Sequence, residues 1–147
     1  MSQKRLQTVL ENACQTGVYH LPESGLAAVR EAADALGLAC FEVSLADVVR
    51  IDAVLAALGR GLDFPEWYGH NFDALKDCLT DFSWQPAAGC VIIVSHAETL
   101  QATHPATFQT LNEVFTAAIA EWRSQGLPLW VFYDLRSDGL ATLPTVA

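Results

Sequence analysis

Basic residues are scarce in this sequence, which has 8 Lys and Arg against 17 Asp and Glu and a formal net charge of −9. A surface with this excess of carboxylates repels phosphate backbones and anionic membranes, and it attracts basic proteins or cations. We therefore expect no direct binding to nucleic acid or to a membrane, and a cationic protein as the natural partner.

Long apolar runs are lacking as well. The N-terminus, "MSQKRLQTVLENACQ", has no apolar run behind its basic pair, so we expect no signal peptide. The most apolar internal run, "AAGCVIIV", is too short to span a bilayer. The four cysteines are Cys14, Cys40, Cys78 and Cys90. They include no C-x-x-C pair, and three of them fall within or beside apolar runs. They are predicted to be reduced thiols in a cytoplasmic protein.

The sequence also lacks the motifs of common enzymes. It contains no H-E-x-x-H, no P-loop, no complete glycine-rich dinucleotide loop and no nucleophile elbow. The histidines are scattered, which argues against a metal site: His20, His70, His96 and His104. Two aspartates near His70 offer an acid–base or metal site as an alternative, but an exposed helix face supplies neither a cleft nor a perturbed pKa. We expect no enzymatic activity, no metal and no cofactor.

The residues that are present indicate one folded domain. Of the 147 residues 52% are hydrophobic and only 17% are charged, which suits a chain with a substantial core. Strands are predicted within residues 17–21, 38–45, 90–94 and 127–135. Helices are predicted after Ser24, after Asp52, from Asn71 and from Pro105, with a weaker candidate over residues 5–14. This alternation predicts an α/β fold with a small, mostly parallel sheet and right-handed crossovers.

Capping residues give the expected limits of these helices. Ser24 and Asp52 are predicted N-caps, and Pro105 is predicted at a first helical position. Gly37 and Gly126 are predicted to end the helices before them. No periodic apolar pattern follows Arg136, so residues 136–147 are predicted to be a loose tail.

The stretch "FPEWYGHNFDALKDCLTDF", residues 64–82, predicts a helix with two unlike faces. At ~100° per residue, one sector holds the apolar side chains Phe72, Leu75, Cys78, Leu79 and Phe82. The opposite sector holds the carboxylates Asp73, Asp77 and Asp81. The apolar face is expected to enter the core, and the acidic face is expected to point outward.

Solubility is the simpler explanation of this acidic face, but it does not account for the choice of residues. Asp73 lies in the first turn, where the helix dipole favours an anion. Asp77 and Asp81 have no such advantage: like charges four residues apart repel by ~0.2–0.5 kcal/mol, and aspartate is a poor helix former. The preceding loop adds Glu66, Trp67 and Tyr68, and aromatic rings of this kind are typical of interfaces unless they fold into the core. The pattern therefore favours a surface that binds a partner.

These residues resemble the signature of the barstar family, intracellular inhibitors of secreted bacterial ribonucleases. The matching positions are Pro65, Glu66, Tyr68, Gly69, Asn71, Asp73, Ala74, Leu75, Asp77, Cys78, Leu79 and Thr80. The resemblance extends more weakly over about two thirds of the chain, from the strand at 38–45 to the strand near 129–134. It implies a barstar-like core over residues 38–135, with three core strands. Residues 1–37 are then an extension, expected to add a strand and a helix at one sheet edge of the same domain.

The resemblance also implies a site and a mechanism. In this family the acidic helix and the loop before it block a ribonuclease active site, where carboxylates take the place of RNA phosphates. Asp73 and Asp77 match the main acidic contacts, with Asp77 deepest and with Trp67 and Tyr68 on the flank. Gly69, Asn71 and Thr80 match positions that shape or line the surface. The implied protein stays in the cytosol and acts as an immunity protein, or antitoxin, against an extracellular or toxin ribonuclease.

Two residues depart from the family pattern. Lys76 stands where the prototype has a tryptophan, which places a cation at the edge of the predicted contact surface. Ala117 stands where the prototype has an interface glutamate, a loss for which Asp81 or Glu113 are the candidate replacements. The alternative is therefore a barstar-like adaptor or regulator whose partner is not a ribonuclease.

Overall fold

The computed structural model describes residues 10–11, 16–20, 23–48, 50–62, 71–81, 89–133 and 141–142. Besides the helical residues 10 and 11, these ranges contain helices α1 (Glu23–Ala35), α2 (Ile51–Gly61), α3 (Phe72–Leu79), α4 (Glu98–Thr103) and α5 (Pro105–Ser124). They also contain strands β1 (Val18–His20), β2 (Ala39–Ser44), β3 (Cys90–Ser95), β4 (Leu129–Tyr133) and β5 (Ala141–Thr142). The strands alternate with helices, which confirms the predicted α/β class.

The strands form one parallel sheet in the order β2-β3-β4-β1-β5. Its interior strands are covered on both faces, since every residue of β3 and β4 is buried and all of them except Ser95 are hydrophobic. Ile92 of β3 is paired with Phe41 on one side and with Val131 on the other. The β-branched run at 90–94 is therefore a buried central strand, as the sequence predicts.

Helices cover both faces of the sheet. Helices α2, α3, α4 and α5 contribute to the larger core cluster, together with Val43, Ile92, Val94, Val131 and Tyr133 of the strands. Helix α1 packs on the other face, where Val29, Ala32 and Ala33 meet Val91, Ile93, Trp130 and Phe132. This placement of α1 on the opposite face follows from right-handed crossovers. The connection from β1 to β2 runs across the sheet in the direction opposite to the connections from β2 to β3 and from β3 to β4, so its helix lies on the opposite face.

The N-terminal part of the chain lies within this architecture and not simply at one edge. Strand β1 pairs with β4 on one side and with the two-residue strand β5 on the other. The Trp130 indole N–H donates a hydrogen bond to the Leu10 carbonyl oxygen at 3.0 Å. Strand β5 falls in the segment predicted to be a loose tail, and it was not expected because two residues carry no apolar pattern. The extension thus supplies a strand inside the sheet and a helix on its second face.

The helix ends follow the capping predictions in part. Gly37 and Gly126 adopt left-handed φ angles of 72° and 74°, where glycine has no Cβ to clash. After each glycine the backbone N–H of the next residue bonds back into the last helical turn, from Leu38 to Ala33 and from Leu127 to Trp122. Pro105 opens α5 as predicted.

The two predicted N-caps are wrong. Helix α1 already begins at Glu23, so Ser24 lies inside it. Helix α2 begins at Ile51 after Arg50, and Asp52 is in its first turn, with its carboxylate 3.3 Å from the Arg50 side chain. An acidic group in the first turn is favoured by the helix dipole without capping the helix. Within the described ranges, no helix is both long enough and apolar enough to cross a membrane.

Candidate functional site

The acidic helix α3 begins at a well-formed cap. Asn71 has extended backbone angles, and its side-chain Oδ1 accepts a hydrogen bond from the Ala74 backbone N–H at 2.7 Å. This bond satisfies one of the backbone donors that the first turn leaves without a partner. Asp73 lies in that same turn, where the helix dipole favours its negative charge.

Helix α3 presents two unlike faces as predicted, but it ends at Leu79, so the prediction that Asp81 lies on its exposed acidic face is wrong. Phe82, predicted on the apolar face, lies outside the described residues. Leu75, Cys78 and Leu79 are buried in the larger core cluster, whereas Asp73 and Asp77 are exposed. Neither of these carboxylates forms a salt bridge or a side-chain hydrogen bond with another residue of the described chain. Both carboxylates therefore face solvent.

Lys76 is exposed on the same helix. It lies three residues after Asp73, a spacing that permits an ion pair on a helix. Yet neither Lys76 nor Asp73 forms a salt bridge with another residue of the described chain. The surface of α3 thus offers a cation beside its two carboxylates, as the sequence indicates.

Thr80 and Asp81 follow the C-terminal end of α3 and form hydrogen bonds with carbonyl groups of its last turn. The Thr80 backbone N–H donates to the Lys76 carbonyl oxygen at 3.0 Å, and the Thr80 hydroxyl donates to the same oxygen at 2.8 Å. The Asp81 N–H donates to the carbonyl oxygen of Cys78 at 3.3 Å. Both Thr80 and Asp81 are partly buried, so they are less accessible than Asp73 and Asp77.

The Cys78 thiol lies buried below the acidic face. Burial raises the pKa of Cys78, and the carboxylates of Asp81 and Asp77 raise it further. A raised pKa keeps the sulfur protonated near neutral pH, whereas nucleophilic cysteines and metal ligands act as thiolates. In the described chain no three His, Cys, Asp or Glu side chains are grouped closely enough to hold a metal ion.

Helix α5 supports α3 from the core. The indole N–H of the buried Trp122 donates a hydrogen bond to the carbonyl oxygen of Leu79, the last residue of α3, at 2.7 Å. Trp122 is one of the buried residues along α5, together with Phe108, Leu111, Phe115 and Ile119. The sequence gives only a general indication of this bond, because a buried indole N–H needs a hydrogen-bond acceptor. The helical period does not identify which residue provides that acceptor.

The remaining predicted site residues lie on α5 or outside the described residues. Ala117 is partly buried on α5, and Glu113 is exposed one turn earlier, where it accepts a hydrogen bond from Gln109 at 3.4 Å. Trp67, Tyr68 and Gly69 lie outside the described residues. The contribution of the aromatic loop therefore stays a prediction from the sequence.

Comparison with known proteins identifies the family. The model of one protein family, described as barstar (barnase inhibitor), matches residues 38–134. Among curated proteins the comparison found no match to this chain. The matched region starts just before β2 and ends just after β4, so it contains the acidic helix and four of the five helices named above. It covers about two thirds of the sequence, and the chain therefore belongs to the barstar family.

Proposed function

We propose that this protein inhibits a ribonuclease by inserting helix α3 and the loop before it into the active site of that enzyme. The observation that carries the proposal is the pair of exposed carboxylates, Asp73 and Asp77, on a capped helix in a chain of the barstar family. The protein acts as a plug that imitates the substrate and catalyses no reaction of its own.

Physical chemistry supports this mode of binding. A ribonuclease active site collects Arg, Lys and His side chains because it must hold RNA phosphates. Carboxylates accept hydrogen bonds from such cations, and these charge-assisted bonds are about twice as strong as neutral ones. Asp73 and Asp77 form no ion pair with another residue of the described chain, so within that part of the chain no internal ion pair has to break before binding. On this proposal Asp77 lies deepest, Tyr68 and Trp67 cover the flank, and Gly69, Asn71 and Thr80 shape the surface.

The net charge of −9 supports fast association with a basic enzyme. Attraction between opposite charges raises the rate of encounter, and salt screens it over ~8–10 Å at physiological ionic strength. The same charge disfavours direct binding of RNA. The protein would act in the cytosol of the cell that makes the ribonuclease, as an immunity protein or antitoxin.

A second function is favoured by one observation on the same helix. Lys76 is exposed and forms no ion pair with Asp73. It therefore presents a positive charge at the edge of the proposed contact surface, where it would repel a cationic enzyme. Ala117 adds no carboxylate on the neighbouring helix. A barstar-like adaptor that binds another class of protein would fit this mixed surface.

Inhibition of RNA cleavage by a basic microbial ribonuclease tests the proposal. With increasing amounts of the protein, cleavage of a fluorescent RNA should fall linearly to zero at one equivalent. If cleavage stays unchanged with several such enzymes, and affinity capture repeatedly returns one partner that is not a nuclease, the inhibitor proposal fails and the adaptor replaces it.

A further inference from the structure

We infer that Trp122 is a positioning residue for the acidic helix, through the hydrogen bond from its indole N–H to the Leu79 carbonyl oxygen. This inference rests on the proposed function, because it assigns to Trp122 the task of holding the binding helix in its orientation. It adds a residue that lies in the core, on another helix, and does not itself reach the partner.

Helix α3 needs such support because it is short. Its eight residues span about 12 Å, and an isolated helix of this length is not stable in water. The Asn71 cap is a bond within the same segment, so it stabilises the first turn without orienting the helix against the rest of the protein. Orientation must come from contacts with other elements.

The bond from Trp122 supplies a directional contact at the C-terminal end of α3, close to Asp77. Leu79 is two residues after Asp77 and directly before Thr80, and the last carbonyl groups of a helix have no partner within it. The 2.7 Å bond satisfies the Leu79 carbonyl oxygen in a fully buried place, where loss of a partner is costly. A rigid bicyclic ring therefore fixes the last turn of α3 against α5.

The residue that follows Trp122 holds a different part of the chain. Arg123 donates from its guanidinium to the Thr16 carbonyl oxygen at 2.7 Å and to the Thr16 hydroxyl at 3.1 Å. The last turn of α5 thus joins the acidic helix on one side and the segment before β1 on the other. Trp122 therefore lies in a helical turn that is itself bonded to another part of the chain, through Arg123, which makes this turn a suitable support for α3.

A matched pair of variants separates positioning from general stability. Trp122→Phe removes the bond to Leu79 and keeps an aromatic ring in the core. Trp130→Phe removes a comparable buried bond, from the Trp130 indole to the Leu10 carbonyl oxygen, on the opposite face of the sheet. Both variants should lose stability to a similar extent, because each loses one buried hydrogen bond from an indole to a backbone carbonyl.

The first measurement needs no partner. Backbone amide hydrogen exchange at Thr80 and Asp81 should be faster in Trp122→Phe than in the wild type, and unchanged in Trp130→Phe after correction for global stability. Equal protection of these amides in the two variants overturns the inference. If Trp122→Phe does not fold, exchange of the Trp122 indole proton in the wild type decides, since a bond to Leu79 requires it to exchange as slowly as the amides of that turn.

The second measurement uses a ribonuclease that the wild type inhibits, at a temperature where all variants are folded. Trp122→Phe should raise Kd about 3- to 10-fold, mainly through faster dissociation, and Trp130→Phe should change it less than twofold. The effect of Trp122→Phe should shrink in an Asp77→Ala background, because the carboxylate it positions is gone. Equal effects of the two Trp variants on Kd overturn the positioning role. Absence of any ribonuclease bound by the wild type refutes the proposed function instead, and the exchange result still decides whether Trp122 fixes the end of α3.

Discussion

Gly89 lies directly against Pro128, so that a Cβ atom placed on the glycine would be 2.7 Å from the proline carbonyl oxygen. The same carbonyl accepts a hydrogen bond from the Cys90 N–H at 3.0 Å, and the Gly89 carbonyl accepts one from Ala39 at 3.1 Å. Gly89 therefore lies directly before β3, at the point where the chain comes close to the starts of β2 and β4. Its φ of 126° is one that other residues rarely adopt.

Gly89→Ala should lower the free energy of unfolding by roughly 2–4 kcal/mol, from the clash with Pro128 and the strained backbone together. Gly37→Ala is the matched control, since Gly37 also has a positive φ but a Cβ there would meet nothing within 4 Å. That control should lose only about 1 kcal/mol. Urea denaturation measures both, and similar losses in the two variants would show that the close approach to Pro128 is not important.

The cap of the acidic helix gives a second prediction. Asn71→Ala removes the acceptor of the Ala74 N–H and should cost about 1 kcal/mol of stability, within a range of about 0.5–2 kcal/mol for such caps. Asn71→Ser keeps a capping oxygen and should lose much less. Thermal or urea denaturation distinguishes them, and a serine variant as unstable as the alanine variant would assign the loss to contacts other than the cap.

The second face of the sheet gives a third prediction. Ala33 and Ala35 are on the same helix, but Ala33 is fully buried against the second core cluster and Ala35 is exposed. Ala33→Asp places a carboxylate without a partner in that core and should cost about 3 kcal/mol or more. Ala35→Asp should cost less than about 1 kcal/mol. Equal losses would mean that α1 does not cover the sheet as described.

These features divide into those that local sequence patterns determine and those that depend on the assembled sheet. Strong periodicity or β-branching predicts α5 and β3, and the glycine at Gly37 or Gly126 marks a helix end because a local backbone angle demands it. Helix α4 was not predicted, because its six residues bury only Leu100 and show no repeating stripe. Its limits follow from packing on α5, which no local pattern encodes.

The position of α1 and the support of α3 also depend on the assembled sheet. The strand order decides on which face the first crossover lies, and that order joins residues far apart in sequence. The two faces of α3 could be predicted from the spacing of Asp73 and Leu75, since both follow from one helical period. The bond between Trp122 and Leu79 could not, because it joins residues 43 positions apart.

Tyr133 gives a fourth prediction, on pH. Burial raises the pKa of Tyr133, and its hydroxyl donates to Asn112 Oδ1 at 2.6 Å. Above the ordinary pKa of 10.0 the unfolded chain loses this proton while the folded protein keeps it, so the unfolded state binds fewer protons and is favoured as the pH rises. The contribution of Tyr133 is complete below about pH 10 and then falls by about 1.4 kcal/mol per pH unit.

Tyr133→Phe cannot ionise at this position. It should be less stable than the wild type at pH 7 by about 1 kcal/mol, because Asn112 loses its donor. Its stability should decline less steeply than that of the wild type between pH 10 and pH 11.5. Urea denaturation at several pH values gives both slopes, and other alkaline groups affect the two proteins equally. Parallel curves above pH 10 would show that Tyr133 ionises as readily when folded as when unfolded.

The fifth prediction concerns the acidic surface itself and compares two exposed aspartates. Asp77 is on α3, at the centre of the proposed contact, whereas Asp34 is on α1, on the other side of the sheet. Each substitution by alanine removes one negative charge, so the change in net charge is the same. Asp77→Ala should weaken binding to the ribonuclease about 10- to 100-fold, as expected for loss of a hydrogen bond to a charged group, and Asp34→Ala should have little effect.

Salt separates the local contact from long-range attraction in this comparison. Raising the salt concentration should slow association of the wild type and of both variants, because the net charge of −9 is screened in all of them. The excess dissociation rate of Asp77→Ala should persist in high salt, since a buried charge-assisted bond is screened much less than a surface charge. Equal effects of the two alanine substitutions at every salt concentration would mean that binding responds only to net charge, and α3 would then have no special place in the interface.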